Sequence, residues 1–244
     1  MAPIKKLVPK AVKEYLKQLL CRKCGLTYSQ MGQDYWVYGE AFNEKHGGIF
    51  VDIGAHDGIE LNNTYILESR YNWTGICIEA NPISFAQLQR NRSATCLNAC
   101  LDQSEGEVDF VLRDVMGGIV DLDVDNKRVG EGKGHKVLRL KTTSLTRVLE
   151  DQGAPDVMDY LSIDVEGAEE RVFGGFDFRR YTFKSITIER PTDLLRTRFK
   201  DHGYMVLKEV PHFDCFYVHQ DFMEEYVSNL FQFYSKNHLA FRWS

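Results

Sequence analysis

Four acidic side chains stand at the ends of four predicted strands: Asp52, Glu79, Asp164 and Glu189. Each one follows a run of apolar residues of the kind found in buried parallel strands. In an open α/β sheet, ligands bind beyond the carboxyl ends of the strands. Clustered carboxylates repel one another and lose hydration, so folding alone gives little reason to gather four of them. These acids therefore indicate a ligand site at one edge of a sheet.

The first of these strands leads directly into a glycine-containing turn. The stretch 49–58 has the sequence IFVDIGAHDG, and Asn62, Asn63 and Thr64 follow it at a predicted helix start, where such residues act as caps. Glycines let a backbone approach a ligand closely. Strand, glycine turn and helix in this order form the nucleotide crevice of α/β proteins. Asp52 disfavours a pyrophosphate at this place, because two anions would repel.

The spacing of the acids predicts a separate task for each of them. Glu79 lies 25 positions after Gly54, where an acid can accept both hydroxyls of a ribose. Asp52 and the turn 54–58 would hold a cationic or zwitterionic group, and Asp102 could accept from an adenine amino group. A ligand with adenine, ribose and a positive centre, but without phosphate, is S-adenosylmethionine. A nicotinamide dehydrogenase would need G-x-G-x-x-G, which this turn lacks.

Strand and helix patterns alternate along the chain, which is typical of an α/β fold. Predicted strands lie at 49–53, 73–79, 95–101, 158–163 and 185–188, with a terminal hairpin of 205–210 and 215–219. Predicted helices lie at 9–20, 33–43, 61–70, 81–91, 145–151, 165–175, 192–202 and 221–235. No repeat or linker divides the chain. We therefore predict a basic helical extension at 1–28 and a single domain at 29–244, with a β-rich insertion near 106–140.

Several motifs together resemble one family over residues 30–220. These motifs are VDIGAHDG with NNT, GICIEANP, LSIDVEGAEERVFGGF and ITIER, and they are similar to the FkbM family of S-adenosylmethionine-dependent methyltransferases. The resemblance implies an α/β, three-layer, Rossmann-like class I methyltransferase fold. Its sheet would be mostly parallel, with seven strands in the order 3-2-1-4-5-7-6 and a C-terminal antiparallel hairpin. It also implies O-methylation of a hydroxyl on a sugar, a glycan or a polyketide-like molecule.

The same resemblance implies which residues bind the cofactor. The methionine end would be lined by Asp52, Gly54, Ala55, His56, Asp57 and Gly58, with Asn63 and Thr64 beside it. Glu79 would hold the ribose with Ala80 next to it, Asp102 would lie near the adenine, and Gln33 would close over the cofactor. The chain departs from the family at Arg190-Pro191, where many relatives have His or Asn after the fifth-strand acid.

A sugar hydroxyl is a weak nucleophile, so its methylation benefits from a general base. Asp164 is the first candidate, since the fourth strand end faces the reacting methyl group in this topology. Glu189 and Glu166 come next, and His135 and His212 are alternatives, because histidine titrates near neutral pH. The acids could instead hold a divalent cation that lowers the pKa of the hydroxyl, but no metal is expected. A non-catalytic module that binds S-adenosylmethionine is the alternative to an enzyme.

Composition limits the partners and the compartment. The 244 residues have a net charge of −5, which disfavours nucleic acid as a partner. Residues 1–24 contain seven basic side chains and one acid, so the amphipathic helix 9–20 could contact an anionic membrane or glycolipid surface. The absence of an apolar span and of a signal-peptide pattern predicts a cytoplasmic protein, with peripheral membrane contact as the alternative. The lone pair Cys21 and Cys24 lacks the further ligands of a zinc site.

Overall fold

A computed structural model describes residues 25–112, 117–120, 136–211 and 213–237. The strands in these ranges are β1 (Ile49–Ile53), β2 (Thr74–Ile78), β3 (Thr95–Leu97), β4 (Cys100–Leu101), β5 (Gly106–Val111), β6 (Gly118–Ile119), β7 (Val137–Thr143), β8 (Val157–Ile163), β9 (Thr182–Glu189), β10 (Tyr204–Glu209) and β11 (Asp214–His219). The α-helices are α1 (Gln33–Tyr35), α2 (Tyr65–Tyr71), α3 (Pro82–Asn91), α4 (Leu145–Asp151), α5 (Glu169–Gly174), α6 (Asp193–Asp201) and α7 (Met223–Lys236). Helix α1 continues as a π-helix over Trp36–Ala41, and a 3-10 turn, Gln220–Phe222, precedes α7.

Seven strands form the main sheet in the order β10-β11-β9-β8-β1-β2-β3. The neighbours from β9 to β3 are parallel, whereas β11 is antiparallel to both β9 and β10. Counted along the chain within this sheet, the order is 3-2-1-4-5-7-6, as predicted. The Rossmann-like α/β fold with its terminal antiparallel hairpin is therefore confirmed. Because β1, β2, β8 and β9 run in parallel, their carboxyl ends meet at one edge of the sheet.

A second, four-stranded sheet has the order β4-β7-β5-β6. The prediction of one continuous strand over 95–101 was wrong, because β3 belongs to the main sheet and β4 to the second one. The chain leaves the main sheet at Asn98, whose Nδ2 donates to the backbone oxygens of Glu79 at 2.8 Å and Ala80 at 3.2 Å. These bonds hold the end of β3 beside the end of β2 and turn the chain toward the second sheet.

The main sheet is buried on both faces. Val51 and Ile53 of β1 belong to the core on one face, and Phe50 packs on the other face with Trp36 and Trp73. This alternation follows from the two-residue period of a strand. Burial on both faces explains why the parallel strands have nearly continuous apolar sequences.

Polar side chains determine where several helices begin. Asn62 lies just before α2, and its Oδ1 accepts from the backbone N–H groups of Thr64 and Tyr65 at 2.9 and 2.8 Å. Asn81 is the N-cap of α3, and its side chain accepts from the N–H of Ile83 at 2.9 Å. The helix predicted from residue 165 begins only at Glu169. Residues 166 and 167 have φ angles of 54° and 92°, which a helix cannot accommodate.

Some predicted features lie outside the described residues. These are the basic helix at 9–20, the Cys21 and Cys24 pair, His135 and His212. Among the residues that the structure does describe, no helix has both the length and the apolar character needed to cross a membrane.

Candidate active site

The carboxyl ends of β1, β2 and β8 surround an open recess of about 630 Å³. It lies between β1 and β8, where the strand order of the sheet reverses, and such switch points bind ligands in α/β proteins. Its polar lining comes from Gly54, His56, Glu79, Asp164 and Glu166. Its apolar lining includes Ala80, Leu101, Phe110, Ile119, Val165 and Ala168. A recess of this mixed polar and apolar character suits a small organic ligand.

Gly54 brings the first turn against the end of β8. Its φ angle is 82°, and a Cβ on this residue would lie 1.9 Å from the backbone oxygen of Asp164. The N–H groups of Gly54 and Ala55 both donate to the Ile78 oxygen, at 3.0 and 3.1 Å. Gly54 is therefore needed for contact between the backbones of neighbouring strand ends. The sequence analysis had instead assigned the glycines of this turn to close approach of a ligand.

Glu79 lies at the end of β2 with both carboxylate oxygens facing backbone donors. Its Oε2 accepts from the N–H of His56 at 2.8 Å, and its Oε1 accepts from the N–H of Asn81 at 2.7 Å. Burial raises the pKa of Glu79, and these two hydrogen bonds oppose that rise. Each carboxylate oxygen can accept a further hydrogen bond. The fixed orientation of this carboxylate suits the two neighbouring hydroxyls of a ribose.

Asp52 lies in a buried hydrogen-bond network and does not line the recess. Its Oδ2 accepts from Asn62 Nδ2 at 2.8 Å and Thr64 Oγ1 at 2.7 Å. The guanidinium of Arg92, which is fully buried, lies 3.9 Å from the same oxygen. Arg92 also donates to the backbone oxygen of Gly58 at 3.2 Å. The sequence analysis had predicted that Asp52 faces a cationic group of the ligand. In the structure, the cation beside Asp52 is Arg92.

A carboxylate cluster, formed by Asp164, Glu169 and Glu189, lies at the ends of β8 and β9. Oxygens of the three side chains lie within 4.8 Å of one another. Desolvation, followed by repulsion from Glu189, raises the pKa of Asp164 well above its usual range. Because Asp164 is open to solvent, repulsion from the neighbouring carboxylates accounts for the raised pKa. An arrangement of this kind can hold either a shared proton or a divalent cation.

Glu169 is the buried member of the carboxylate cluster. Its Oε1 accepts from the N–H groups of Val165 at 3.0 Å and Gly167 at 3.4 Å. Burial raises the pKa of Glu169 to about 7, although these backbone hydrogen bonds lower it in part. Glu169 therefore exchanges its proton near neutral pH.

Three residues at this edge have a left-handed backbone without being glycine. His56 follows β1 with a φ of 50°, Glu166 follows β8 with 54°, and Arg190 follows β9 with 38°. The Arg190 guanidinium lies 2.8 Å from Glu189 and 3.5 Å from Glu166, so it places positive charge beside the carboxylate cluster. Such backbone conformations cost roughly 1–3 kcal/mol each and gather at functional sites.

Other residues predicted to bind the cofactor surround the recess without lining it. Ala55 is buried in the core, and Gly58 packs against Arg92 and Leu88. The carboxylate of Asp57 accepts from the N–H groups of Ile59 and Glu60. Asn63 donates to Ser162 Oγ at 3.0 Å, while Thr64 belongs to the Arg92 network.

Gln33 and Asp102 are held by protein partners as well. Gln33 Nε2 donates to Asp214 Oδ2 at 2.8 Å, which fixes α1 against β11. Asp102 accepts from Arg171 Nε at 3.1 Å and lies directly after β4, in the second sheet. This ion pair engages the carboxylate that had been predicted to accept from an adenine amino group.

The apolar wall of the recess was missed by the sequence analysis. Phe110, Ile119, Cys100 and Ala168 form a small buried cluster against which Ala80 and Val165 pack. No motif marks Phe110, Ile119 or Cys100, since they face the recess only because the second sheet packs there. In the sequence, the apolar residues within 108–112 were the signal that this stretch has a buried face.

The residues around the recess fit S-adenosylmethionine. Glu79 offers acceptors for a diol, the apolar wall suits a purine ring, and Asp164 and Glu166 suit a positively charged centre. The Nδ1 atom of His56 is buried and has no hydrogen-bond partner among the described residues. A polar group of a bound cofactor would satisfy it.

Comparisons with known proteins were made for sequence and for structure. The family model described as methyltransferase FkbM domain matches residues 52–206. A search of curated proteins gives no match. Solved structures with similar folds include a methyltransferase FkbM from Methylobacillus flagellatus KT, with 16% identity and a TM-score of 0.44. That similarity covers 71% of this chain and 44% of the other, so the chain spans less than half of that protein.

Two further solved structures are similar at the level of the fold. A precorrin-6y C5,15-methyltransferase from Geobacter metallireducens GS-15 has 16% identity and a TM-score of 0.38, covering 71% of this chain and 82% of the other. TrmK of M. capricolum, in complex with S-adenosylhomocysteine, has 8% identity and a TM-score of 0.42, covering 72% of this chain and 64% of the other.

Proposed function

Because the chain belongs to the methyltransferase FkbM domain family, we propose that it transfers a methyl group from S-adenosylmethionine to a hydroxyl oxygen of a sugar or glycan. Dependence on S-adenosylmethionine follows from the family. The hydroxyl acceptor and its attachment to a sugar are our proposal. Bound S-adenosylmethionine would supply an electrophilic methyl group on a sulfonium centre.

The observation that supports a hydroxyl acceptor is the place of Asp164. Asp164 lines the recess at the end of β8, and its carboxylate belongs to the carboxylate cluster with Glu169 and Glu189. Repulsion within this cluster raises the pKa of Asp164. A base is most effective when its pKa lies near the working pH. A hydroxyl needs such a base, because its proton must leave as the new bond forms.

The residues of the recess have separate roles in this proposal. Glu79 orients the cofactor through the ribose, and the apolar wall of Phe110 and Ile119 encloses its adenine ring. Asp164 accepts the hydroxyl proton of the acceptor. Glu189 lies beside Asp164 and keeps its pKa high, while Arg190 limits the total negative charge. Holding the acceptor oxygen in line with the methyl group accounts for much of the expected rate.

The decisive experiment is a product screen by mass spectrometry. The purified chain would be incubated with S-adenosylmethionine and a panel of deoxysugars, glycolipids and polyketide-type alcohols. We expect a mass gain of one CH2 group on a sugar, located on oxygen by fragmentation. A product on nitrogen or carbon, or on polyketide-type alcohols alone, would contradict the proposal. Binding of S-adenosylmethionine by calorimetry without any product would indicate a non-catalytic binding module.

We also propose that the basic segment 1–24 brings the chain to an anionic or glycolipid surface. Seven basic side chains against one acid give this segment the charge for such contact. The test is sedimentation with phosphatidylserine vesicles, compared with the variant in which Lys5, Lys6, Lys10, Lys13 and Lys17 are changed to Gln. Equal binding of both proteins, or binding of neither, would refute this role.

A further inference from the structure

Two cysteines face each other across neighbouring strands of the main sheet. Cys77 of β2 and Cys96 of β3 are register partners in a parallel pair. Both side chains lie on the same face of the sheet, against the core that contains Phe50 and Leu88. The Cys96 thiol donates to the backbone oxygens of Ala94 at 3.4 Å and Leu88 at 3.9 Å, and both cysteines are free. The sequence analysis had treated them as small apolar residues of separate strands.

The two thiols differ in their access to solvent. β3 is the outermost strand of the main sheet among the described residues. Cys96 on this strand is partly exposed, and its Sγ lies 3.4 Å from the backbone oxygen of Ala94. Cys77 on the inner strand is fully buried. Cys96 is therefore the more accessible of the two cysteines to a small oxidant.

The surroundings also favour ionisation of Cys96 over Cys77. The neighbouring Cys77 thiol lowers the pKa of Cys96 to about 7, burial opposes this change, and the positive charge of Arg92 adds to it. The neighbouring Cys96 thiol, followed by burial, raises the pKa of Cys77. The thiolate is the nucleophilic form of cysteine. Cys96 is thus the attacking sulfur, and Cys77 is the neighbouring thiol that can resolve its oxidised form.

We propose that Cys77 and Cys96 form a peroxide-sensitive site that closes into an intramolecular disulfide. The Cys96 thiolate attacks one oxygen of hydrogen peroxide, breaks the O–O bond, and becomes a sulfenic acid with release of hydroxide. The Cys77 sulfur then attacks the Cys96 sulfur and forms the disulfide. The proton of the Cys77 thiol passes to the hydroxide released in the first step. The OH group of the sulfenic acid takes a proton from solvent and leaves as water. Two thiols and one peroxide give one disulfide and two waters, so both sulfurs are oxidised and peroxide is reduced.

The spacing of the two strands is compatible with this disulfide. Neighbouring strands lie about 4.8 Å apart, and the Cα atoms of bridged cysteines are separated by about 4.4–6.8 Å. Cys77 lies on β2 shortly before Glu79. The thiol chemistry nevertheless does not depend on the proposed function.

Two other buried cysteines provide matched controls. Cys100 of β4 pairs in register with Thr142, and Cys215 of β11 pairs with Ile188 and Glu209. Burial raises the pKa of both thiols, that of Cys100 to about 12. Neither has a cysteine as its register partner, so neither should form a disulfide under the same treatment.

The test treats the full chain, with Cys21 and Cys24 changed to Ser, with hydrogen peroxide. Free thiols are then alkylated, and peptides are analysed by mass spectrometry. We expect a linked peptide pair that contains Cys77 and Cys96, with two hydrogens lost, and its disappearance after mild dithiothreitol. Cys96→Ser should slow the loss of the Cys77 thiol at least tenfold, and Cys100→Ser should leave the linkage unchanged.

Three outcomes would overturn the proposal. Cys77 and Cys96 could both remain alkylatable while other cysteines react. Cys96 could accumulate as sulfinic acid without a link to Cys77. Cys77 or Cys96 could link instead to Cys100 or Cys215. The parent chain alone decides among these outcomes, so the test does not depend on the folding of any cysteine-pair variant.

Discussion

At the scale of single residues, the distribution of charge at the strand ends has the clearest consequences. Asp164 is repelled by Glu189, Glu166 and Glu169, and Arg190 is the cation that pairs with two of these neighbours. A carboxylic acid in such a place keeps its proton to a higher pH than in water. The same surroundings therefore make Asp164 a stronger base once it ionises and make the folded site sensitive to pH.

Asp164→Asn should reduce turnover by more than tenfold while cofactor affinity stays within a few-fold. The amide keeps the shape of the side chain but cannot accept the hydroxyl proton, and a positioned base contributes about 10²–10⁴-fold to a rate. Single-turnover kinetics and calorimetry with S-adenosylmethionine would measure the two effects. Glu170→Gln is the control, since Glu170 bonds to Thr192 outside the recess. Turnover near that of the parent would remove Asp164 from the catalytic role.

The raised pKa of Glu169 predicts how the free energy of unfolding depends on pH. Its pKa is about 7 in the folded chain against an ordinary 4.5. The folded state binds more protons than the unfolded state between these pH values, so the free energy of unfolding falls as pH rises through them. Glu169→Gln should match the parent near pH 4.5 and exceed its free energy of unfolding by about 1–3 kcal/mol at pH 8. Urea unfolding at both pH values measures this, and equal pH slopes in the two proteins would contradict it.

At the scale of elements, the turn after β1 is defined by contacts with its neighbours. Gly54→Ala should lower the free energy of unfolding by more than about 2 kcal/mol, because a Cβ would lie 1.9 Å from the Asp164 oxygen and the φ is 82°. Gly32→Ala is matched, since Gly32 has the same φ and a Cβ added there would meet no atom within 4 Å. That variant should lose only about 1 kcal/mol. Equal losses in urea unfolding would show that the contact with β8 is unimportant.

The network around Arg92 connects this turn to α2 and α3. Arg92→Met would leave the buried Asp52 without its cation, which typically costs about 3–5 kcal/mol. Arg147→Met removes an exposed ion pair with Asp151, within a single helix, and should cost under about 1 kcal/mol. Urea unfolding of both variants compares them. Similar losses would mean that the buried network does not hold the turn.

At the scale of the whole molecule, the recess joins both sheets. β1, β2 and β8 come from the main sheet, and Leu101, Phe110 and Ile119 come from the second sheet. A ligand that contacts both sheets stabilises the folded chain as a unit. S-adenosylmethionine at 100 times its dissociation constant should add about 2.7 kcal/mol to the free energy of unfolding. This corresponds to a rise in melting temperature of about 5–10 °C. Scanning calorimetry measures the rise, NAD is the control, and an equal rise with NAD would contradict selectivity.

The sequence by itself determined the position of the strand-end acids, and the resemblance of its motifs to a known family implied the order of the main sheet. Apolar runs, capping residues such as Asn81, and short motifs are local features, so they can be recognised without knowledge of distant contacts. They placed Glu79 and Asp164 at one edge, where the structure also has them. The same local signals gave the strand boundaries to within a few residues, except where 95–101 divides between two sheets.

The tertiary structure alone decided which polar groups face the recess and which are satisfied inside the protein. Asp52 and Glu79 both follow apolar runs in the sequence. In the structure, however, Arg92 neutralises Asp52 inside the protein, whereas Glu79 faces the recess. The apolar wall of Phe110 and Ile119 and the pairing of Cys77 with Cys96 likewise depend on which strands become neighbours. Local sequence fixes the direction of a side chain within its own strand. Its partner depends on the packing of segments far apart in the chain, which no local pattern encodes.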